Sequence, residues 1–234
     1  MPAFHTPPIS PMAIAFDAEK LTLSPEGPTL TRRMSDLEGL FLDHDAWKTA
    51  AEGDNPVVYS VVSSPVPEID RELPQSITTI MPGDTSGELW MTKGHQHPNH
   101  QGEIYLALKG RGGLLMFDGE RTEWLDMLPG TIGYIPPGWA HRSVNTGDEP
   151  YAFLAVYPGG AGHDYGWVLE NGMGSRAYRA TPSATDDTAA TDGTAATVDL
   201  RPYATTPTTT PTTTPATTSE TTPTSTATTP TPSA

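Results

Sequence analysis

The 234-residue sequence predicts an all-β protein built as one antiparallel barrel or sandwich. Short runs rich in β-branched and aromatic residues recur between residues 57 and 157, and Gly/Pro turn signals separate them. A further indication is the sequence His95-Gln96-His97, because side chains two residues apart share a face when the backbone is extended. The length suits one compact domain with additional segments rather than two full domains.

The composition divides the chain into three parts. Residues 1–30 are Pro-rich and are expected to be extended, packing as an outer strand. Residues 31–180 carry the domain itself. Residues 181–234 consist mainly of Thr, Pro, Ala and Asp, and such a tail buries too little apolar surface to offset its chain entropy, so we expect it to be disordered. A glycosylated stalk is the alternative for a Thr/Pro tract, which the lack of a signal-peptide pattern disfavours.

Two helices are predicted before the strands begin. The sequence Ser35-Asp36-Leu37-Glu38 has the form of a capping box, and Gly39 makes any helix there short. A longer helix is predicted from Asp43 to Glu52, with Trp47 on its buried side and Gly53 as its terminator.

Beyond Asn55 the pattern changes to β. Turn signals such as Pro82-Gly83, Asp118-Gly119 and Pro129-Gly130 separate short apolar runs. The predicted strands are residues 57–62, 76–81, 88–92, 103–108, 113–117, 131–135, 142–145 and 152–157.

The bulk composition narrows the possible functions. The absence of cysteine excludes disulfides, thiolate metal sites, iron–sulfur clusters and a cysteine nucleophile. A formal net charge of −15 disfavours a nucleic-acid partner, because an acidic surface repels phosphodiesters. No apolar run reaches the roughly 20 residues of a membrane span, so we expect no membrane partner and a cytoplasmic location.

The chemistry of the chain is carried by His95, His97, Glu103 and His141. The first two imidazoles share one face of a strand, and a carboxylate and a third imidazole from a distant strand complete a set of three nitrogens and one oxygen. Such a set suits a first-row divalent metal and leaves coordination positions open for substrate.

These residues lie within two longer motifs. The pattern Gly130-x5-Pro136-x-Gly138-x2-His141-x3-Asn145 resembles the second cupin motif. The pattern His95-x-His97-x5-Glu103-x6-Gly110 resembles the first cupin motif, although its gap between His97 and Glu103 is longer than in most cupins. Among cupins, the chain is similar over about residues 30 to 170 to the glucose-6-phosphate isomerases first known from archaea. The segments that carry this resemblance include residues 92–97, 103–110, 136–142 and 161–166.

The resemblance implies a single cupin domain, an antiparallel β-barrel of jelly-roll type, that forms a homodimer. It implies a metal-dependent isomerase that interconverts glucose 6-phosphate and fructose 6-phosphate in glycolysis and gluconeogenesis. One divalent metal per subunit is expected at His95, His97, Glu103 and His141, with Fe²⁺ first and Mn²⁺, Co²⁺, Ni²⁺ or Zn²⁺ as alternatives. The loop before Glu103 is one residue shorter than in a typical member, which leaves His100 as an alternative ligand; placement on a strand favours Glu103.

The catalytic candidates are Glu103, His141, Tyr105 and His163. Glu103 is the candidate for carrying a proton between C1 and C2, with a direct hydride shift as the alternative route. Tyr105 is expected on the same inward face as Glu103. His163, beyond the last predicted strand, is a candidate for ring-opening acid–base chemistry or for a purely structural role at the mouth of the site.

The resemblance also implies a phosphate end of the pocket with neutral hydrogen-bond donors. The residues implied are Tyr59, Thr79, Thr92, Gly94 and Tyr157. Thr92 and His95 cannot face the same side of a regular strand, so we expect a bulge or kink at Gly94.

Two other functions compete with the isomerase. A cupin dioxygenase or decarboxylase would use the same metal set without a phosphate site. A non-catalytic sugar-binding cupin would normally come with lost ligands or an attached DNA-binding domain, whereas all four ligands are present here and no helix-turn-helix pattern precedes the barrel.

Overall fold

The computed structural model describes residues 9–180 and 198–203, and its regular elements are mostly strands. In chain order the helices and strands are β1 Ala15–Asp17, β2 Thr22–Ser24, β3 Thr29–Arg33, α1 His44–Glu52, β4 Val57–Ser63, β5 Gln75–Ile80, β6 Asp84–Thr85, β7 Glu88–Leu89, β8 Glu103–Lys109, β9 Gly112–Phe117, β10 Thr122–Met127, β11 Ile132–Ile135, β12 Ala140–Asn145, β13 Tyr151–Val156, α2 Tyr165–Asn171, β14 Ser175–Arg179 and β15 Val198–Pro202.

The strands form antiparallel sheets around one main core. The larger sheet has six strands in the order β11-β8-β13-β5-β4-β3, and a smaller one has the order β10-β9-β12. Strands β15-β14-β7-β6 form another sheet, and β1 and β2 form a separate hairpin. The core joins Tyr105 and Phe153 of the larger sheet to Leu114, Met116 and Val144 of the smaller one. The prediction of an all-β antiparallel domain is confirmed.

The longer predicted helix is also confirmed. The side chain of Asp43 accepts a hydrogen bond from the Ala46 backbone, the N–H of Gly53 closes the last turn onto Thr49, and Trp47 is the buried residue of the helix. The shorter predicted helix is a 3-10 turn at Met34–Leu37 that begins one residue before the predicted capping box.

Most of the predicted strands appear within one or two residues of their expected ends, but the segment 88–92 does not. Only β7 belongs to a sheet there, while Met91 forms an isolated bridge with Val144. Strand β10 was not predicted, because Glu123 and Asp126 interrupt its apolar pattern and most of its residues are exposed or half-buried. None of the described helices is long and apolar enough to cross a membrane.

Part of the N-terminal segment forms regular secondary structure. Residues 15–24 form the β1–β2 hairpin, and β3 lies at the edge of the larger sheet, paired with β4, so this strand crosses the predicted boundary between residues 30 and 31. Residues 1–8 lie outside the described residues.

The prediction of a disordered tail from residue 181 is wrong for residues 198–203. Strand β15 pairs along its whole length with β14, and Tyr203 packs against the second apolar cluster, which contains Leu115 and Met173. The ring of Tyr178 also lies 4.0 Å below the guanidinium carbon of Arg201. The strand is not evident in its own sequence, which contains Asp199 and Pro202, so its pairing with β14 determines it. The remaining residues of the predicted tail lie outside the described residues.

A chain that ends at residue 197 lacks β15 and Tyr203, and we expect it to be less stable than the full chain. Exposing the surface beneath one large side chain costs about 2 kcal/mol, which corresponds to a fall of roughly 4–8 °C in the melting temperature of a domain of this size. Differential scanning calorimetry measures the shift. The matched control ends after Tyr203 and should melt with the full chain; equal melting of all three chains contradicts a stabilising role for β15.

Candidate metal centre and adjoining cavity

Two isolated β-bridges lie beside the candidate metal centre, and one segment has one more residue between them than the other. Met91 pairs with Val144 and His95 pairs with His141, so four steps on one side match three on the other. This is a β-bulge. Its effect is to bring Thr92 and His95 to the same cavity, which a regular strand cannot do.

Gly94 makes the bulge possible. Its φ is +75°, a conformation that side chains with a Cβ rarely adopt. A Cβ at this position would lie 3.0 Å from the carbonyl oxygen of His141 and 3.1 Å from Cβ of Arg142. The kink that the sequence predicts at Gly94 is therefore confirmed.

Four side chains converge beside the bulge. Their ligand atoms, on His95, His97, Glu103 and His141, all lie within 4.8 Å of one another. Oε2 of Glu103 is 3.0 Å from Nε2 of His97, 3.0 Å from Nε2 of His141 and 4.0 Å from Nε2 of His95. Ligands at right angles around an ion with bonds of about 2.1 Å are about 3.0 Å apart, and opposite ligands are about 4.2 Å apart. The group can hold a metal ion.

Backbone carbonyls fix the orientation of two of the rings. Nδ1 of His97 donates to the Gly162 carbonyl at 2.6 Å, and Nδ1 of His141 lies 3.3 Å from the Trp139 carbonyl. With Nδ1 as the donor, Nε2 keeps its lone pair for a metal. Nε2 of His95 is buried and has no hydrogen-bond partner. Such an orphaned acceptor fits a site that is completed by a cation.

The electrostatics of the group favour cation binding. Burial, and then the charges of the neighbouring histidines, hold the pKa of His95 well below its ordinary value, so this ring is neutral. Burial also acts to lower the pKa of His97, but hydrogen bonds to Glu103 and to the Gly162 carbonyl outweigh it and raise the pKa. Burial acts to raise the pKa of Glu103, and hydrogen bonds from His141 and His97 outweigh it. A metal ion at this site would compete with the proton for the lone pair on Nε2 of His97.

His100 does not belong to the centre. Its side chain is exposed, and it is not among the residues whose ligand atoms converge. Glu103, in contrast, is the first residue of β8 and is 3% exposed. The shorter loop before Glu103 thus leaves its carboxylate within reach of the three histidines.

A cavity of about 370 Å³ opens beside the metal group. His95 and Glu103 line it, together with three other candidates from the sequence: Tyr105, His163 and Tyr157. The ring of His163 lies 4.5 Å from that of His95, centroid to centroid. His97 and His141 contribute to the metal group but do not line the cavity.

The structure brings four of the five predicted phosphate residues to this cavity. They are Tyr59, Thr92, Gly94 and Tyr157. Thr79 is not among the lining residues, and its place is taken by Thr78 and Ser76 of the same strand. Side chains alternate along β5, so an error of one position moves a hydroxyl to the opposite face. The placement of Thr79 in the pocket is wrong by one residue.

The sequence analysis missed two charged residues of the cavity. Lys93 lines it, in the bulge between Thr92 and Gly94, and its position within the candidate segment is the signal that was available. Glu68, from the loop between β4 and β5, also lines it. The Tyr157 hydroxyl donates to Glu68, whose other oxygen is 4.0 Å from Nδ1 of His163. Burial raises the pKa of Tyr157, and the hydrogen bond to Glu68 adds to that effect.

Loss of a single histidine ring should prevent the candidate centre from retaining its metal ion. His97→Ala and His141→Ala should each weaken metal binding by more than the roughly 10- to 100-fold that loss of an outer-shell partner costs. Metal content after dialysis against a defined free-ion concentration measures the effect. His100→Ala is the matched control and should bind metal like the parent. Loss of metal in His100→Ala, with retention in His97→Ala, contradicts the assignment.

Comparison with known proteins identifies relatives of this chain. A family model described as glucose-6-phosphate isomerase (GPI) matches residues 31–190. A glucose-6-phosphate isomerase from Pyrococcus horikoshii is 47% identical over 146 residues, which cover 62% of this chain and 77% of that protein. The Thermococcus onnurineus protein of the same name is 45% identical over 166 residues, covering 70% and 87% of the two chains.

Solved structures include two similar enzymes. An oxalate decarboxylase from Bacillus subtilis is 23% identical with a TM-score of 0.35, covering 43% of this chain and 25% of that chain. An oxalate oxidase is 17% identical with a TM-score of 0.35, covering 41% and 47% of the two chains. The family model, in contrast, extends over more than half of this sequence. The chain belongs to the glucose-6-phosphate isomerase family.

Proposed function

We propose that this protein is a metal-dependent isomerase that interconverts glucose 6-phosphate and fructose 6-phosphate, a reaction of glycolysis and gluconeogenesis. One observation carries the proposal: a four-ligand metal group adjoins a cavity that is also lined by hydroxyls and by Lys93. A sugar phosphate needs both features, one for the reacting carbons and one for the dianion. The family membership of the chain supports the same reaction and does not favour a dioxygenase, a decarboxylase or a non-catalytic sugar-binding protein.

His95, His97, Glu103 and His141 would hold one divalent ion per subunit, for which we propose Fe²⁺, with Mn²⁺, Co²⁺, Ni²⁺ or Zn²⁺ as substitutes. Three imidazoles and one carboxylate suit several first-row ions, so availability contributes to the choice. When bound, the ion would supply Lewis-acid stabilisation of the negative charge that develops on the sugar oxygens.

The reaction moves a hydrogen between C1 and C2 of the sugar. Glu103 lines the cavity, and we assign to its carboxylate the transfer of a proton between the two carbons. In the alternative route the hydrogen moves directly and Glu103 serves as a ligand only. Tyr105 follows two residues later on the same strand face and lines the cavity, and we assign to its hydroxyl a hydrogen bond to a sugar oxygen. His163, whose ring lies 4.5 Å from that of His95, is assigned the proton transfers of ring opening.

For the phosphate end we propose Thr92, Gly94 and Thr78, with Tyr59 and Lys93 beside them. Hydroxyl and backbone donors give a dianion well-directed hydrogen bonds, and Lys93 adds positive charge. Tyr157 is the weaker candidate, because its hydroxyl already donates to Glu68 and would have to exchange that partner.

We also propose a homodimer. Strand β11, at the edge of the larger sheet, exposes 63% of Ile132 and 58% of Tyr134, and the neighbouring Ile104 is 40% exposed. Adjacent exposed apolar side chains at a sheet edge favour association. The proposal includes no nucleic-acid or membrane partner and places the protein in the cytoplasm, since charged sugar phosphates do not cross membranes unaided.

Removal of the metal tests the reaction. A coupled assay should detect conversion of fructose 6-phosphate to glucose 6-phosphate by the purified full chain. Chelation should abolish this activity, and Fe²⁺, Mn²⁺, Co²⁺ or Ni²⁺ should restore it to different extents. Full activity in metal-stripped protein contradicts the metal-dependent mechanism, and inactivity of the metal-loaded chain contradicts the function.

Two neighbouring threonines test the phosphate end. Thr78→Val removes a hydroxyl from the cavity, while Thr79→Val makes the same change on the opposite face of β5. One charge-assisted hydrogen bond is worth about 1.5–3 kcal/mol, so Thr78→Val and Thr92→Val should raise KM for fructose 6-phosphate by roughly 10- to 100-fold. Steady-state kinetics measures the change in KM. Thr79→Val should keep the parental KM; a larger effect there than at Thr78 would reverse the assignment.

The dimer is tested by a charge at the sheet edge. Ile132→Lys should shift the protein to a monomer in light-scattering measurements, because a buried lysine opposes association at an apolar contact. Leu169→Lys is the control, since Leu169 is 58% exposed and lies on α2, outside the larger sheet. A dimer that is unaffected by Ile132→Lys places the interface elsewhere.

A further inference from the structure

Arg142 is a buried cation whose role the reaction does not explain. Its side chain, next to the ligand His141, is 1% exposed, and within residues 9–180 and 198–203 it forms no ion pair with a carboxylate. Its guanidinium donates twice to one acceptor, the carbonyl oxygen of Lys93, from Nη2 at 2.8 Å and from Nε at 3.2 Å. A buried charge is costly unless it is well hydrogen-bonded, so this pair of bonds fixes the Lys93 peptide firmly.

The fixed peptide belongs to the bulge at the phosphate end. In a trans peptide, the carbonyl and the following N–H point in opposite directions. Arg142 holds the Lys93 carbonyl on one side, so the N–H of Gly94 is directed to the other side, toward the cavity that Gly94 lines. The positive charge of Arg142 also lies directly behind the bulge, since its Nε would be 3.2 Å from a Cβ at Gly94.

Tyr203 contacts the third guanidinium nitrogen of Arg142, Nη1. Its hydroxyl accepts from Nη1 of Arg142 at 3.4 Å. Three contacts fix Tyr203 itself: its N–H donates to the Gly174 carbonyl at 3.1 Å, its ring packs against Gly172, and the guanidinium carbon of Arg176 lies 4.1 Å above the ring. A continuous set of contacts therefore runs from the end of β15 to the bulge.

We propose that Tyr203 and Arg142 are positioning residues for the phosphate of the substrate. Tyr203 orients Arg142, and Arg142 orients the Lys93–Gly94 peptide whose N–H meets the dianion. The inference rests on the proposed isomerase function and extends its site to a residue beyond position 190, where the match to the family model ends. The segment after residue 197 thus contributes to substrate affinity as well as to stability.

Tyr203→Phe in the full-length, metal-loaded chain tests this inference, because it removes one hydroxyl and keeps the packed ring. Without the Tyr203 hydroxyl, the guanidinium of Arg142 is held in place by one hydrogen bond fewer. KM for fructose 6-phosphate should therefore rise by about three- to tenfold, which corresponds to the net free energy of one hydrogen bond. The kcat should stay within about twofold, and metal content and melting temperature should not change. Tyr178→Phe, on the paired strand β14, is the matched control and should keep the parental KM.

A double-mutant cycle with Thr92→Val sharpens the test. If Tyr203 acts through the bulge, its effect on KM should shrink in the Thr92→Val background, because the two changes are coupled. An unchanged KM in Tyr203→Phe, or strictly additive effects in the cycle, overturns the inference while the isomerase function stands. Equal losses of metal, melting temperature and kcat would show that Tyr203 is merely structural. A metal-loaded parent without isomerase activity contradicts the proposed function instead.

Discussion

The site depends on one extra residue in a short stretch of chain. Between the bridges at Met91 and His95, the backbone advances four residues while its partner advances three. Without this bulge, Thr92 and His95 would face opposite sides, and the proposed phosphate end would be separated from the metal group. The bulge in turn requires the positive φ of Gly94, so a single glycine joins the two halves of the proposed chemistry.

The bulge also explains how an acidic protein can bind the proposed anionic substrate. A net charge of −15 gives no long-range attraction for a sugar phosphate, so affinity has to arise locally. Lys93 lines the cavity, Arg142 lies behind the bulge, and the neighbouring histidines and Glu103 favour a cation. Glu68 adds a negative charge at the same cavity, where it engages Tyr157 and lies near His163. Hydrogen-bond donors and cations therefore lie at the bulge, and the carboxylate of Glu68 lies at Tyr157 and His163.

The sequence predicts those features that depend on local periodicity. His95 and His97 share a site because extended side chains alternate, and the Asp43 cap and Gly53 define α1 from single residues. The wrong predictions concern Thr79 and strand β15. Both depend on long-range contacts, which a local sequence pattern does not show. Thr79 and Thr78 differ only in register, which the pairing of β5 with β4 and β13 decides. Strand β15 is stabilised by β14 and Tyr203, not by its own composition, and the link from Tyr203 to Lys93 spans distant segments.

The most direct test of the account is a crystal structure of the full chain with Mn²⁺ and a phosphorylated sugar acid. The account predicts an anomalous peak among Nε2 of His95, His97 and His141 and the carboxylate of Glu103, with the phosphate within hydrogen-bond distance of Thr92 and of the Gly94 N–H. An ion bound away from these four residues, or a phosphate outside the cavity, would contradict it.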